Sequence, residues 1–146
     1  ANRNYGRHLR LRNGRYTLRR YPARHNPLSR RCRHTTASAR LVKVHYADLT
    51  DDGAPVAVVE LFTYRNYCAG RAYRGRVLVV FARRAGRVLE RGRISLINVD
   101  KVKVDKRGIH VERRGWKGNK SNKCNDTWIL RNDKVKRRRS ICRPHP

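Results

Sequence analysis

Polar and apolar residues alternate with a period of two in several stretches of the chain. In "LRLRNGRYTLRR" (9–20), Leu9, Leu11, Tyr16 and Leu18 alternate with Arg10, Arg12, Arg15 and Arg19 on either side of Asn13-Gly14. Asn-Gly accepts the positive φ angles of a type I′ turn, so the segment predicts a β-hairpin. Its register sets Arg12 opposite Arg15, Leu11 opposite Tyr16 and Leu9 opposite Leu18. One side of the ribbon is apolar. The other sets arginines against each other, which is unfavourable in a strand pair unless an anion lies across them.

The pattern then predicts a loop over 20–39, punctuated by Pro22 and Pro27, with a short helix in 20–40 left open. A strand follows in "ARLVKVHYADL", broken by "DLTDDGAP". "VAVVELFTY" (56–64) and "VLVVFA" (77–82) are nearly unbroken apolar runs, as expected of strands buried on both faces. Between them "RNYCAGRAYRGR" (65–76) reads as a loop. "RRAG" turns the chain into "RVLERGRISLINV". "VDKVKVDKRGIHVER" (99–113) predicts a hairpin turning at Asp105–Gly108, with Val104 opposite Ile109, Val102 opposite Val111 and Lys101 opposite Glu112. "RGWKGNKSNKCND" reads as a loop, "TWIL" as a short strand, "RNDK" as a turn, and "VKRRRSIC" as a solvated basic strand or tail. No 3.6-residue apolar pattern is sustained. The expectation is a mainly β protein with seven to nine strands, an antiparallel β-sandwich or open barrel with few or no helices.

Length and composition refine this picture. The 146 residues suit one domain over 1–146. Within it, 1–40 reads as a basic hairpin and loop arm, 41–112 as the β core, and 113–146 as a basic loop, strand and tail. The apolar share of 38% permits a modest core. The charge is extreme: 38 Lys and Arg against 10 Asp and Glu give +28. A fold carrying such charge repels itself, and a polyanion would relieve it. Cys32, Cys68, Cys124 and Cys142 lie far apart with no C-x-x-C, so zinc-ribbon chemistry is not indicated. Their even number points to two disulfides, with the pairing open, and to an oxidising compartment. An extracellular protein whose signal peptide has been removed is expected. No apolar run reaches a membrane-spanning length.

The segment "DLTDDGAPVAVV" resembles the D-L-T-G-D-G-x-x-D stretch of FG-GAP or VCBS-type repeats, which also occurs singly in small secreted actinobacterial domains. The resemblance implies calcium ligands at Asp48, Thr50 and Asp52. Asp51 stands where the family has Gly, and Val56 where it has a further Asp. Calcium takes six to eight oxygens, so no cofactor is expected, with calcium as the alternative. The structural alternative is an Asx-type turn.

Two sets of residues carry candidate chemistry. One is polyanion-binding: Arg10, Arg12, Arg15 and Arg19 on the hairpin; Arg65, Tyr67, Arg71, Tyr73, Arg74 and Arg76 in the 65–76 segment; and Arg137, Arg138 and Arg139 near the end. Guanidinium forks fit phosphate, and tyrosine rings stack on bases. The other set is His45, Glu60, His110 and Glu112, which a secreted ribonuclease or toxin domain would use with an arginine for acid–base cleavage. His45 and Glu112 equally suit structural roles, Glu112 as a partner of Lys101. The expected function is a secreted, non-enzymatic polyanion binder. Nucleic acid is the leading partner, with coating by several copies of the chain possible. The ribonuclease and a cell-wall or glycan-binding structural domain are the alternatives.

Overall fold

The computed structural model describes residues 15–18, 36–50, 54–67, 71–117 and 120–144. These residues form nine strands and no helix: β1 (Arg15–Leu18), β2 (Thr36–Asp48), β3 (Pro55–Tyr67), β4 (Arg71–Arg84), β5 (Arg87–Ile97), β6 (Val99–Asp105), β7 (Gly108–Lys117), β8 (Lys120–Arg131) and β9 (Lys134–Pro144). They build two sheets in strict chain order, β1-β2-β3-β4-β5 and β6-β7-β8-β9. The architecture is an antiparallel, sandwich-like β fold.

Contacts divide the chain into two compact units, Ala1–Leu41 with Phe62–Arg74, and Val42–Leu61 with Gly75–Pro146. In the first, β1 pairs with β2 from Arg15↔Arg40 to Leu18↔Ala37. The Arg40 guanidinium lies 5.9 Å from the centre of the Phe62 ring, a cation–π distance. The expected pairing across Asn13-Gly14 involves residues 9–12, which lie outside the described residues.

The second unit holds the main core. Alternation along the strands puts Val56 and Val58 (β3), Leu78, Val80 and Ala82 (β4), and Ile94 and Leu96 (β5) on one buried face. Ile109 and Val111 (β7) join them, with Val102, Val104, Trp128, Leu130 and Val135 packed at the margin. Burying side chains of this kind supplies roughly 1.5–3 kcal/mol each, before the entropy cost of ordering them.

The turns carry the chemistry their geometry demands. Ala85-Gly86 and Asn132-Asp133 all have positive φ, closing two-residue hairpins between β4 and β5 and between β8 and β9. A single residue, Asn98 (φ 53°), carries the chain from the first sheet to the second. Its carbonyl oxygen accepts the Arg114 backbone N–H at 2.9 Å. Gly108 sits at φ 139°, and a Cβ there would run into the Trp128 carbonyl oxygen. The β6–β7 hairpin has the expected register, with Val104↔Ile109, Val102↔Val111 and Lys101↔Glu112.

Four expectations are corrected. The 65–76 segment is mostly strand: β3 runs on to Tyr67 and β4 starts at Arg71. Its alternating Tyr and Arg extend the hairpin, so its polarity is not a loop signal. The Gly/Asn/Lys stretch likewise forms the ends of β7 and β8, paired from Lys117↔Lys120 inward. Cross-strand hydrogen bonds override its weak β propensity. Finally, "VAVVELFTY" is buried on both faces only in part. Val56, Val58 and Glu60 are buried and the alternating Ala57 and Val59 half-exposed, but Leu61, on the side of Ala57 and Val59, is buried too. Part of 20–39 is also strand, from Thr36 onward; 19–35 lie outside the described residues.

Candidate polyanion interface and buried charge clusters

The second sheet has two unlike faces. Residues directly opposite on paired strands share a face. Ile109, Val111, Cys124, Asp126 and Trp128 lie on the inner face; Val135, Arg137, Ser140 and Cys142 of β9 share it by register, Val135 half-buried and the other three exposed at the edge. The solvent face carries rows of bases: Lys103–His110–Thr127–Arg139, Lys101–Glu112–Asn125–Ile141, Arg114–Lys123–Arg143, Ile129–Lys136 and Arg131–Lys134.

On the β6–β7 side these bases meet carboxylates. Lys103 Nζ lies 3.5 Å from Asp105, Lys123 Nζ 3.1 Å from Glu112, and Arg114 3.2 Å from Asp100. Asp105 also accepts the Arg107 backbone N–H at 2.9 Å and contacts His110 Nε2 at 3.1 Å. The Arg107 N–H and then His110 hold its carboxyl at about 2, below the ordinary range. Glu112 lies opposite Lys101 in register, but its ion pair is with Lys123.

β9 is different. It is an edge strand, and Lys134, Lys136, Arg138, Arg139 and Arg143 are all exposed. Among the described residues no carboxylate pairs with any of them. The two acids nearest in sequence are engaged elsewhere. Asp133 receives Arg84 at 2.6 Å and Arg91 at 3.5 Å. Asp126, 2% exposed, receives Arg113 Nε at 2.6 Å. Burial pushes the Asp126 carboxyl up, but Arg113, Ser140 and the charge of Arg137 outweigh it and hold the pKa below the ordinary value.

A bulge between Thr127 and Trp128 makes Arg138 the extra residue of β9. It keeps Arg139 on the solvent face with Lys134 and Lys136, although an odd number of positions separates it from them. Arg137, exposed on the opposite side of β9, lies 5.9 Å from the centre of the Trp128 ring. The Cys124–Cys142 disulfide ties β9 to β8. Cys32 and Cys68 lie outside the described residues.

The inner face of the first sheet carries a charge cluster. Glu60 on β3 is 3% exposed. His45 Nε2 on β2 lies 3.1 Å from its Oε2, and Arg76 on β4 donates to its Oε1. Three adjacent strands thus bring together His45, Glu60 and the arginine that a cleavage mechanism calls for. Both oxygens of Glu60 are occupied, so it is a locked bridge and not a free base. His110 and Glu112 lie on the solvent face of the other sheet, with Asp105 and Lys123 as partners. The four acid–base candidates do not form one cluster.

The remaining candidates are dispersed. Arg76 is engaged by Glu60, and Arg74 is exposed. Arg15 lies on β1, with its side chain outside the described residues, as are those of Arg65, Tyr67, Arg71 and Tyr73. Arg10, Arg12 and Arg19 lie outside altogether. In the acidic loop, Asp48 Oδ1 accepts the Thr50 N–H at 3.3 Å and Thr50 Oγ1 donates to the Ala54 carbonyl at 3.0 Å, an Asx-type turn. Asp52 lies outside the described residues. Among the described residues no group of three or more His, Cys, Asp or Glu has metal-site geometry, and no helix is long and apolar enough to cross a membrane.

Lys134, Lys136, Arg143 and Arg131 were not among the sequence candidates. The two-residue spacing of Lys134 and Lys136 was the available signal. No protein-family model matches the chain, and no curated protein or solved structure is significantly similar to it.

Proposed function

We propose that this chain is a non-enzymatic polyanion-binding protein that holds nucleic acid by its phosphate backbone, with β9 as the principal contact. One observation carries the reading: an exposed edge strand lined by Lys134, Lys136, Arg138, Arg139 and Arg143, with no carboxylate partner among the described residues. Cations left without internal partners on a rigid strand are what phosphate contact requires. The net charge of +28 adds long-range attraction. The Cys124–Cys142 disulfide supports an extracellular setting. Several copies bound along one polymer would form a coat.

Electrophoretic mobility shift with labelled RNA and DNA over a range of salt tests this. A shift that weakens steeply with salt, with the polymer intact, is the expected outcome. A salt-independent shift, or none, refutes it. The cluster of His45, Glu60 and Arg76 favours a second reading, ribonuclease activity. Shortened RNA in the same gel, lost on His45→Ala, would favour that reading instead. Substituting teichoic acid or a sulfated glycan for nucleic acid tests the cell-wall alternative.

A further inference from the structure

We infer that the ligand of β9 is a single flexible phosphate chain, the backbone of single-stranded nucleic acid, and not a duplex. This rests on the reading of β9 as a polyanion site and goes beyond it. Lys134, Lys136, Arg139 and Arg143 occupy the solvent side of one strand, with Arg138 at the bulge between them. At about 3.3 Å per residue the row is roughly 30 Å long, with alternate side chains about 6.6 Å apart. Across the rest of the face, Lys103, Arg114 and Lys123 are held by carboxylates, which leaves Arg131 beside Lys134 and Lys101 alone at the far edge. The unpaired charge of this face therefore forms one row with a single outlier and not two rows.

A duplex offers two backbones separated by grooves about 6 and 12 Å wide. Each winds through a full turn in about 34 Å. A row roughly 30 Å long stays with one such backbone over only part of its length, whereas a flexible strand can lie along all of it. Along the row itself, the solvent-side positions of β8 and β9 that carry no base are Asn125, Thr127, Ile129 and Ile141, none of them aromatic. Base stacking needs an aromatic platform, so the bases go unread.

The test is fluorescence titration of the full chain with oligo(dT), oligo(dA), the duplex of equal length, and inorganic polyphosphate. The two single strands bind within about threefold of each other, the duplex at least about tenfold more weakly, and polyphosphate displaces the single strands. Counting Arg131 with the five β9 bases, log K falls with log salt at a slope of about −4 on single strands. Replacing Lys134, Lys136, Arg138, Arg139 and Arg143 by Gln weakens single-strand binding at least about 100-fold and flattens the slope by about 3.5. Circular dichroism checks that this variant folds. Lys136→Gln and Arg139→Gln singly, each removing about 0.7 from the slope, give the same answer on a lightly altered chain. Lys103→Gln, which removes a base already held by Asp105, changes affinity less than about twofold.

A duplex that binds as tightly as the single strands, or an oligo(dT) preferred more than about tenfold over oligo(dA), overturns this inference and leaves the polyanion reading standing. Polyphosphate that fails to displace the strands also overturns it. Binding that ignores the β9 substitutions, or no binding to any polymer, overturns both.

Discussion

The arginines and lysines of this protein serve in two ways, and the inner clusters and β9 mark the extremes. Arg76 and Arg113 point inward, each onto a carboxylate that is almost wholly buried. Lys134, Lys136, Arg138, Arg139 and Arg143 have no such partner among the described residues. The fold places its few acids where the interior and the β6–β7 side need them and leaves none for the edge. On the proposed reading, stability and ligand binding rest on separate groups, and each can be perturbed without the other.

The largest test removes an inner carboxylate. Glu60→Ala strips His45 and Arg76 of their shared partner and lowers unfolding free energy by about 3–5 kcal/mol, the usual cost of stranding a buried charge. Urea denaturation reads this, and the folded fraction should still bind single strands with unchanged affinity. Loss of affinity by the folded protein would erase the division. Next in size is the Cys124→Ser, Cys142→Ser double variant. Opening a bridge that spans 18 residues costs about 3 kcal/mol on a chain-entropy estimate. Because this bridge ties down the binding edge, the variant should also bind more weakly.

Glu112→Gln sharpens the comparison from the other side. It frees Lys123, converting a paired base into an unpaired one. The exposed pair is worth less than about 1 kcal/mol, so stability barely moves, while affinity for single strands rises about twofold. The smallest effect concerns acid. The Asp105 carboxyl, held at about 2 against an ordinary 3.8, favours the folded state above about pH 4. That contribution is lost as pH falls from about 4 towards 2, and Asp105→Asn should flatten this limb of the stability profile without touching β9.

Elements whose alternation and turn residues agreed were legible from sequence. The pairing of Val104 with Ile109 and the turn at Asn132-Asp133 are examples. The ends of the long hairpins were not. Residues 65–67 and 114–117 carry no alternating apolar pattern, and cross-strand pairing carries the strands through them. Glu60 was recognised as a possible acid–base group, but an apolar run gives no sign that its carboxylate bridges two cations. The charged row of β9 was half legible. "KRRR" marked the charge, but only the pairing of β8 with β9 reveals the bulge at Arg138 and the face that Arg139 shares with Lys136. The neutralisation of Lys123 by Glu112 was hidden because it joins strands across the β7–β8 hairpin.

The position of β9 at the rim of an open sheet has one more consequence. Unsatisfied backbone groups along such a rim invite a second copy to add its own strand. Here the approach of two like rims brings cation against cation, so the molecules repel at the place where they would otherwise polymerise. On the proposed reading, a bound phosphate chain would neutralise that repulsion, so the charge that draws in the ligand would also keep free molecules apart, and crowding along a polymer would be the condition under which their rims first meet.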